Sequence, residues 1–428
     1  MLSPTFPVVD IPSLQSVSLP DVARIRLEQP TAPAIADIEA AVRDAMARAD
    51  RLRSLPAGSR VALAVGSRGV AHIDRLARAV VGCLREFALE PFVVPAMGSH
   101  GGGTAEGQAA VLARLGVTEE SVGAPIRATM EVVEYGRTKD GIPCCFDAAA
   151  AEAHAVVVIA RVKSHTSFDR SIESGLTKMV GIGLGKQQGA RNIHRLGPRG
   201  LTDVLPEMAA IAVRHSPLAF GIAVVENARH ELVTVEGVAP EAFARTDERL
   251  LKRAKSLLAR LPFTQIDAFV CQELGKEVSG AGMDYAVIGR TDIRGIANPE
   301  HIFIAKLAIL RLTDATHGNG IGIGVADYMP MATANALDLK SMYENGITAA
   351  LVDKCRVPVV LPTERAVLQA TVATSWAPDL ADVRYCQIRN TLSLDEILVS
   401  RALRDELGVA APLEPLAFDA RGALTTLI

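Results

Sequence analysis

Between Ser164 and His194 the chain reads SHTSFDRSIESGLTKMVGIGLGKQQGARNIH. An imidazole stands near each end, His165 and His194, with two lysines, Lys178 and Lys186, and five glycines between them. A further histidine, His100, sits in MGSHGGGTAEG, where three following glycines let backbone approach a ligand closely. Two histidines such as His100 and His165 can flank one carbon, one removing a proton while the other supplies one from the opposite face. That is two-base racemase or epimerase logic, and it needs neutral and protonated imidazole near pH 7. Lys178, set among small residues, has the surroundings of a desolvated, nucleophilic lysine able to form a Schiff base. Arg68 in VGSRGV offers a bidentate clamp for a carboxylate or phosphate, and Lys276 in ELGKE and Arg290 in MDYAVIGR add later cations. Taken alone, His194 reads as a structural histidine rather than a metal ligand.

Familiar phosphate and metal motifs fail. A Walker A loop ending at Gly185-Lys186 would need Gly at Val180 and Ser or Thr at Gln187. A dinucleotide fingerprint on Gly183 and Gly185 meets Gln188 at its third glycine, and no HExxH is present. The glycines here therefore do not by themselves point to a nucleotide.

Elements able to position these residues are legible from periodicity. Residues 35–52, 72–89, 104–116 and 201–216 have helical spacing, the third with Thr104 as N-cap and Gly116 at its end. Continuous apolar runs at 60–67, 91–97 and 153–162 read as buried strands. Strands of that kind alternating with helices imply an α/β fold with parallel sheet, in which ligands gather at the carboxyl ends of the strands. Arg68, His100 and His165 each follow such a strand. The first 30 residues read as a proline-rich extended arm, and the charged helix around 241–262 as a bridge to a second unit with strands near 264–276, 321–330 and 357–364. The expectation is two domains, an N-terminal parallel-sheet, Rossmann-like domain (1–263) and a smaller C-terminal α/β domain (264–428). The active site would lie in the interdomain cleft, with the extreme C-terminus packing back on the first domain.

Composition narrows the partners. Of 428 residues, 49% are hydrophobic and 22% charged, and the net charge is −3, without the basic excess expected of a nucleic-acid or membrane-surface binder. Aromatics make up 4% with a single tryptophan, which is poor material for base stacking. No leader-like segment and no apolar span of ~20 residues is seen. Six scattered cysteines without a CxxC imply reduced thiols, hence a cytoplasmic protein. The sequence leaves homo-oligomerisation open.

Taken together, Arg68, His100 32 residues later, His165 65 further on, Lys178 and then His194 after 16 residues resemble the nickel-dependent lactate racemase family in order, spacing and context, over roughly residues 10–400. The resemblance implies a nickel-pincer nucleotide (a pyridinium bisthiocarboxylic acid mononucleotide carrying Ni(II)), tethered covalently through Lys178 as a thioamide, with His194 completing the metal's plane. Ser67, Arg68, Thr166 and Gly175 would line that cofactor. His100 and His165 would act as acid and base on the substrate hydroxyl while the α-hydrogen moves as hydride. Arg68 with Lys276 or Arg290 would hold the carboxylate of a 2-hydroxy acid. Cofactor-synthesis proteins become expected partners. Gly66-Ser67 before Arg68 and Leu176-Thr177 before Lys178 depart from the family pattern and shift the expectation from lactate to a larger 2-hydroxy acid. Two other readings stay open: a metal-independent lyase or isomerase with Lys178 as Schiff-base lysine, and a non-catalytic cofactor or metal carrier.

Overall fold

The computed structural model describes residues 2–67, 70–165, 170–197 and 199–428, and its fold is mixed α/β. The chain divides into two compact units, one of Pro30–His165 with residues 170–258, the other of residues 2–29 with Ala259–Ile428.

The first unit is built on a five-stranded sheet in the order Glu90–Pro95, Arg60–Val65, Ala155–Arg161, Leu218–Glu226, Leu232–Val238. Four strands are parallel, and the last pairs antiparallel to its neighbour. Strand Arg60–Val65 is a continuous apolar run because both faces are covered. Val61, Leu63 and Val65 pack on one face with helices Ile38–Met46 and Ile73–Glu86. Ala62 and Ala64 face the other side, where Leu176, Val180, Leu184, Phe243 and Leu250 complete a second core. A hairpin, Val132–Arg137 with Pro143–Asp147, forms a separate two-stranded sheet.

The second unit carries a seven-stranded sheet in the order Val22–Arg26, Ser393–Ser400, Tyr385–Asn390, Gln265–Leu274, Phe303–Leu312, Tyr328–Pro330, Val359–Leu361. The last five of these run parallel, whereas Val22–Arg26, Ser393–Ser400 and Tyr385–Asn390 pair antiparallel.

Several sequence expectations change here. The N-terminal arm does not join the first domain. Residues 22–26 form an edge strand on Ser393–Ser400, and Val22 also bridges Glu414, so both chain ends pack in the second unit. The charged helix, Phe243–Ser256, is no bridge either: Phe243, Leu250, Leu251 and Ala254 are buried in the first unit's core, and the chain changes unit only after Leu258. Its apolar stripe at helical spacing, set among charges, is a core-facing face. Neither large sheet is wholly parallel, because the hairpin strands Leu232–Val238 and Ser393–Ser400 and the remote strand Val22–Arg26 pair antiparallel, which continuous apolar runs do not announce.

Candidate functional site

Three neighbouring parallel strands end side by side, and the chain leaving each one lines a cavity of about 240 Å³. Ser67 follows Arg60–Val65, His100 follows Glu90–Pro95, and His165 follows Ala155–Arg161. Gly175, Lys178 and His194 enter from the glycine-rich segment. Six expected site residues, distant in sequence, thus share one wall within the first unit. Arg68 and Thr166 lie outside the described residues. Lys276 and Arg290 belong to the second unit and are not among the cavity's lining. The Lys276 ammonium donates to Asn345 Oδ1. The Arg290 guanidinium donates to the carbonyls of Val325 (2.9 Å), Ile304 (3.0 Å) and Ala305 (2.8 Å), and ion-pairs with Asp327 (2.8 Å). Four acceptors around one planar fork make Arg290 a brace for its own unit.

Buried polar contacts hold the segments that carry Lys178, His165 and His100. Gly175 precedes the short helix Leu176–Lys178 with φ +90°, and a Cβ there would lie 2.2 Å from Asp247 Oδ1. That closeness lets the Leu176 and Thr177 N–H groups donate to the two Asp247 oxygens at 2.9 and 2.7 Å. A carboxylate from helix Phe243–Ser256 thereby caps the turn that presents Lys178. Burial pushes the Asp247 carboxyl up to about 6, against the backbone and side-chain hydrogen bonds of Thr177 and the Leu176 N–H, which lower it.

After Lys178 the helix widens into a π-turn, Met179–Gly183, with the Leu184 N–H donating to the Met179 carbonyl at 2.9 Å. Such insertions often mark functional sites. The glycines here serve packing within the protein: a Cβ on Gly183 would lie 2.7 Å from the Ala96 carbonyl oxygen. The next helix, Lys186–His194, ends on His194. Burial, and next the charge of Lys178, hold the His194 imidazole down at about 4, so the ring is neutral and able to ligate at physiological pH.

His165 is fixed through its backbone. Buried Glu173 accepts from the His165 N–H (2.6 Å), the Arg170 N–H (2.8 Å) and the Ser164 hydroxyl (3.2 Å), and pairs with Lys255 at 2.5 Å. His100 is exposed on its loop, whose carbonyls are held from beneath by buried Gln108, donating to Gly98 O at 2.9 Å and His100 O at 3.4 Å. Lys186, wholly buried with φ +52°, donates to Gln108 Oε1 at 3.1 Å and to the Pro95 carbonyl, and pairs with buried Asp147 at 2.7 Å. Gln108 and Lys186 thus join the His100 loop to the helix that ends on His194.

The electrostatics are one-sided. The described lining includes three histidines, two lysines (Lys163 and Lys178) and Arg161, with no carboxylate. Arg161 is paired with buried Glu226, so its charge is met from behind the wall. The cavity suits an anionic ligand. Among the described residues no group of three or more His, Cys, Asp or Glu stands ready to hold a metal ion.

The sequence did not reveal Asp247, Glu173, Gln108, Asp147 or the role of Lys186. The one signal available was a carboxylate on the apolar stripe of helix 243–256, with Asp247 between Phe243 and Leu250–Leu251.

No family model and no curated protein matches the chain. Among solved structures, a protein from Thermotoga maritima is 13% identical over 80% of this chain and 92% of its own, with a TM-score of 0.51. The two chains share a fold, and that likeness says nothing of chemistry. The lactate racemase apoprotein from Thermoanaerobacterium thermosaccharolyticum overlays on 86% of this chain and 88% of its own, at 11% identity and a TM-score of 0.47, too low to carry an argument. Among the described residues no helix is long and apolar enough to cross a membrane. All six cysteines are free thiols, five of them buried.

Proposed function

We propose that this chain is a racemase or epimerase of a 2-hydroxy acid, holding a nickel-pincer nucleotide at Lys178 and His194. The observation that carries the reading is that His100, His165, Lys178 and His194 line one cavity whose described wall is cationic and free of carboxylates. The donor set fits the group. A neutral His194 imidazole matches a soft-ligated Ni(II) centre that brings its own sulfur donors. Half-buried Lys178, presented on a capped turn, is the tethering amine. A volume of about 240 Å³ is below the ~300–1,000 Å³ usual for small-molecule sites, so part of a mononucleotide would lie outside the cavity.

When bound, the group supplies a hydride acceptor for the α-hydrogen. The chain's own residues do the rest. His100 and His165 accept and return the hydroxyl proton, one on each side of the substrate, so that a planar 2-keto acid can be reprotonated at oxygen from either side. Lys163, in the described wall, draws the substrate carboxylate in. Glu173 keeps the His165 loop in register, and Gln108 does so for the His100 loop.

The test is intact-mass spectrometry with nickel analysis on protein co-expressed with cofactor-synthesis enzymes. The expected result is a covalent adduct on wild type that vanishes in Lys178→Ala, with nickel reduced in His194→Ala. Wild type with neither adduct nor nickel, alongside borohydride trapping of a keto-acid on Lys178, would instead establish the Schiff-base reading.

A further inference from the structure

In the second unit a cavity of about 420 Å³ opens at the N-terminal ends of parallel strands. Its wall includes the first residues of Phe303–Leu312 and the chain leading into Tyr328–Pro330 and Val359–Leu361. None of its lining belongs to the site above. The volume falls within the ~300–1,000 Å³ usual for small-molecule sites.

Three features of the wall are independent of one another. First, it presents the chain's single tryptophan, Trp376, 72% exposed. Its backbone has φ +64°, a conformation strained for a bulky side chain that persists where its surroundings over-determine it. Lys306 Nζ lies 4.1 Å from the centre of the indole, and Phe303 is a second exposed ring in the wall. Second, Arg294 and Arg356 share one carboxylate, Asp353, at 3.0 and 2.5 Å. Two guanidinium groups on one acid leave a positive excess at the rim, and both side chains are largely exposed. Third, the floor is rigid. Arg290 spends its donors on four acceptors, and buried Lys354 grips both oxygens of Asp292 at 2.6 Å. A strained, exposed indole beside under-neutralised guanidiniums on a braced floor is an arrangement for stacking one ring and binding one anion.

We propose that this cavity binds a small planar aromatic anion, with its ring on Trp376 and its anionic group at Arg294 and Arg356. Two sources share that chemistry, a nucleoside monophosphate and an aromatic carboxylate.

Because Trp376 is the only tryptophan, intrinsic tryptophan fluorescence of the full chain reads this cavity alone. The chain would be titrated separately with adenosine monophosphate, adenosine, inorganic phosphate and benzoate. Saturable quenching by adenosine monophosphate, with adenosine and phosphate each at least about tenfold weaker, supports the proposal and assigns the nucleotide source. Saturable quenching by benzoate alone supports it and assigns the carboxylate source. In either case Arg356→Ala and Arg294→Ala, both with exposed side chains and unchanged thermal melts, should weaken binding about tenfold. Isothermal titration of Trp376→Leu should show the same loss without using the reporter. Three results overturn the proposal: no saturable quenching by any probe, equal binding by the arginine variants, or a fluorescence change that follows protein concentration together with a larger species in gel filtration, which would make the exposed rings a contact between copies of this chain.

Discussion

Lys178 and Lys186 stand eight residues apart in one glycine-rich segment, and the fold puts them to opposite uses. Lys178 is half-buried and lines the cavity. Lys186 is wholly buried, paired with Asp147 and bonded to Gln108 and the Pro95 carbonyl. Burial lowers the affinity of the Lys186 ammonium for its proton, and the Asp147 charge works to keep it. A cation that lines a cavity can meet a ligand there. A cation whose donors are spent on buried acceptors is a strut, and a buried charge must be so matched because desolvation would otherwise be prohibitive.

The contrast breaks most sharply at the first lysine. Lys178→Ala should abolish the covalent adduct and racemisation while costing less stability than the loss of Lys186, as read by intact mass and denaturant melts. A large loss of stability there would dissolve the distinction. Lys186→Ala should do the reverse, leaving Asp147 charged and alone in the interior at a cost of about 3–5 kcal/mol. Lys186→Met combined with Asp147→Asn removes both charges while keeping the side-chain oxygen that caps Ala150, and should recover most of that loss in urea melts.

Asp247 gives a smaller effect of mixed kind. Asp247→Ala strips the acceptor from two backbone N–H groups and should cost about 2–4 kcal/mol. It should also slow adduct formation at Lys178 in the fraction that folds, which peptide mass spectrometry would measure.

The finest test is pH. His194 is held at about 4 against an ordinary 6.5, so between those values the unfolded chain binds a proton that the folded chain refuses. Its contribution makes stability fall as pH drops through that window. Asp247 has the opposite sign. With its carboxyl near 6 against an ordinary 3.8, its contribution is complete below 3.8 and is lost as pH rises through 6. Thermal melts of His194→Gln should therefore be flatter than wild type at the acid end. The stability advantage of wild type over Asp247→Asn should shrink as pH rises from about 4 to above 6. Parallel curves for either pair would remove the corresponding buried group from the account of the site.

The sequence alone determined the strands that carry the site. Continuous apolar runs at 60–67, 91–97 and 153–162 became neighbouring parallel strands, because a strand covered on both faces has no position to spare for a polar side chain. Once those strands are neighbours, the loops after them must meet, which is why the loops carrying Arg68, His100 and His165 could be grouped from the sequence alone. Thr104 likewise showed itself as a helix cap and accepts from the Gly107 N–H at 3.0 Å. What supports that group was decided only in three dimensions. Asp247 reaches Leu176 across 71 residues, Lys186 reaches Gln108 across 78, and Val22–Arg26 finds its partner strand near the far end of the chain. Local pattern cannot rank such pairings, since a charged residue on an amphipathic helix reads as solvated until a buried donor is seen facing it. The same holds for Arg290, which the sequence offers as a ligand for substrate and the tertiary structure surrounds with acceptors of its own. Sequence fixes which residues can carry charge, whereas packing fixes whether that charge faces a cavity or a partner, because only the fold sets the distance between groups remote along the chain.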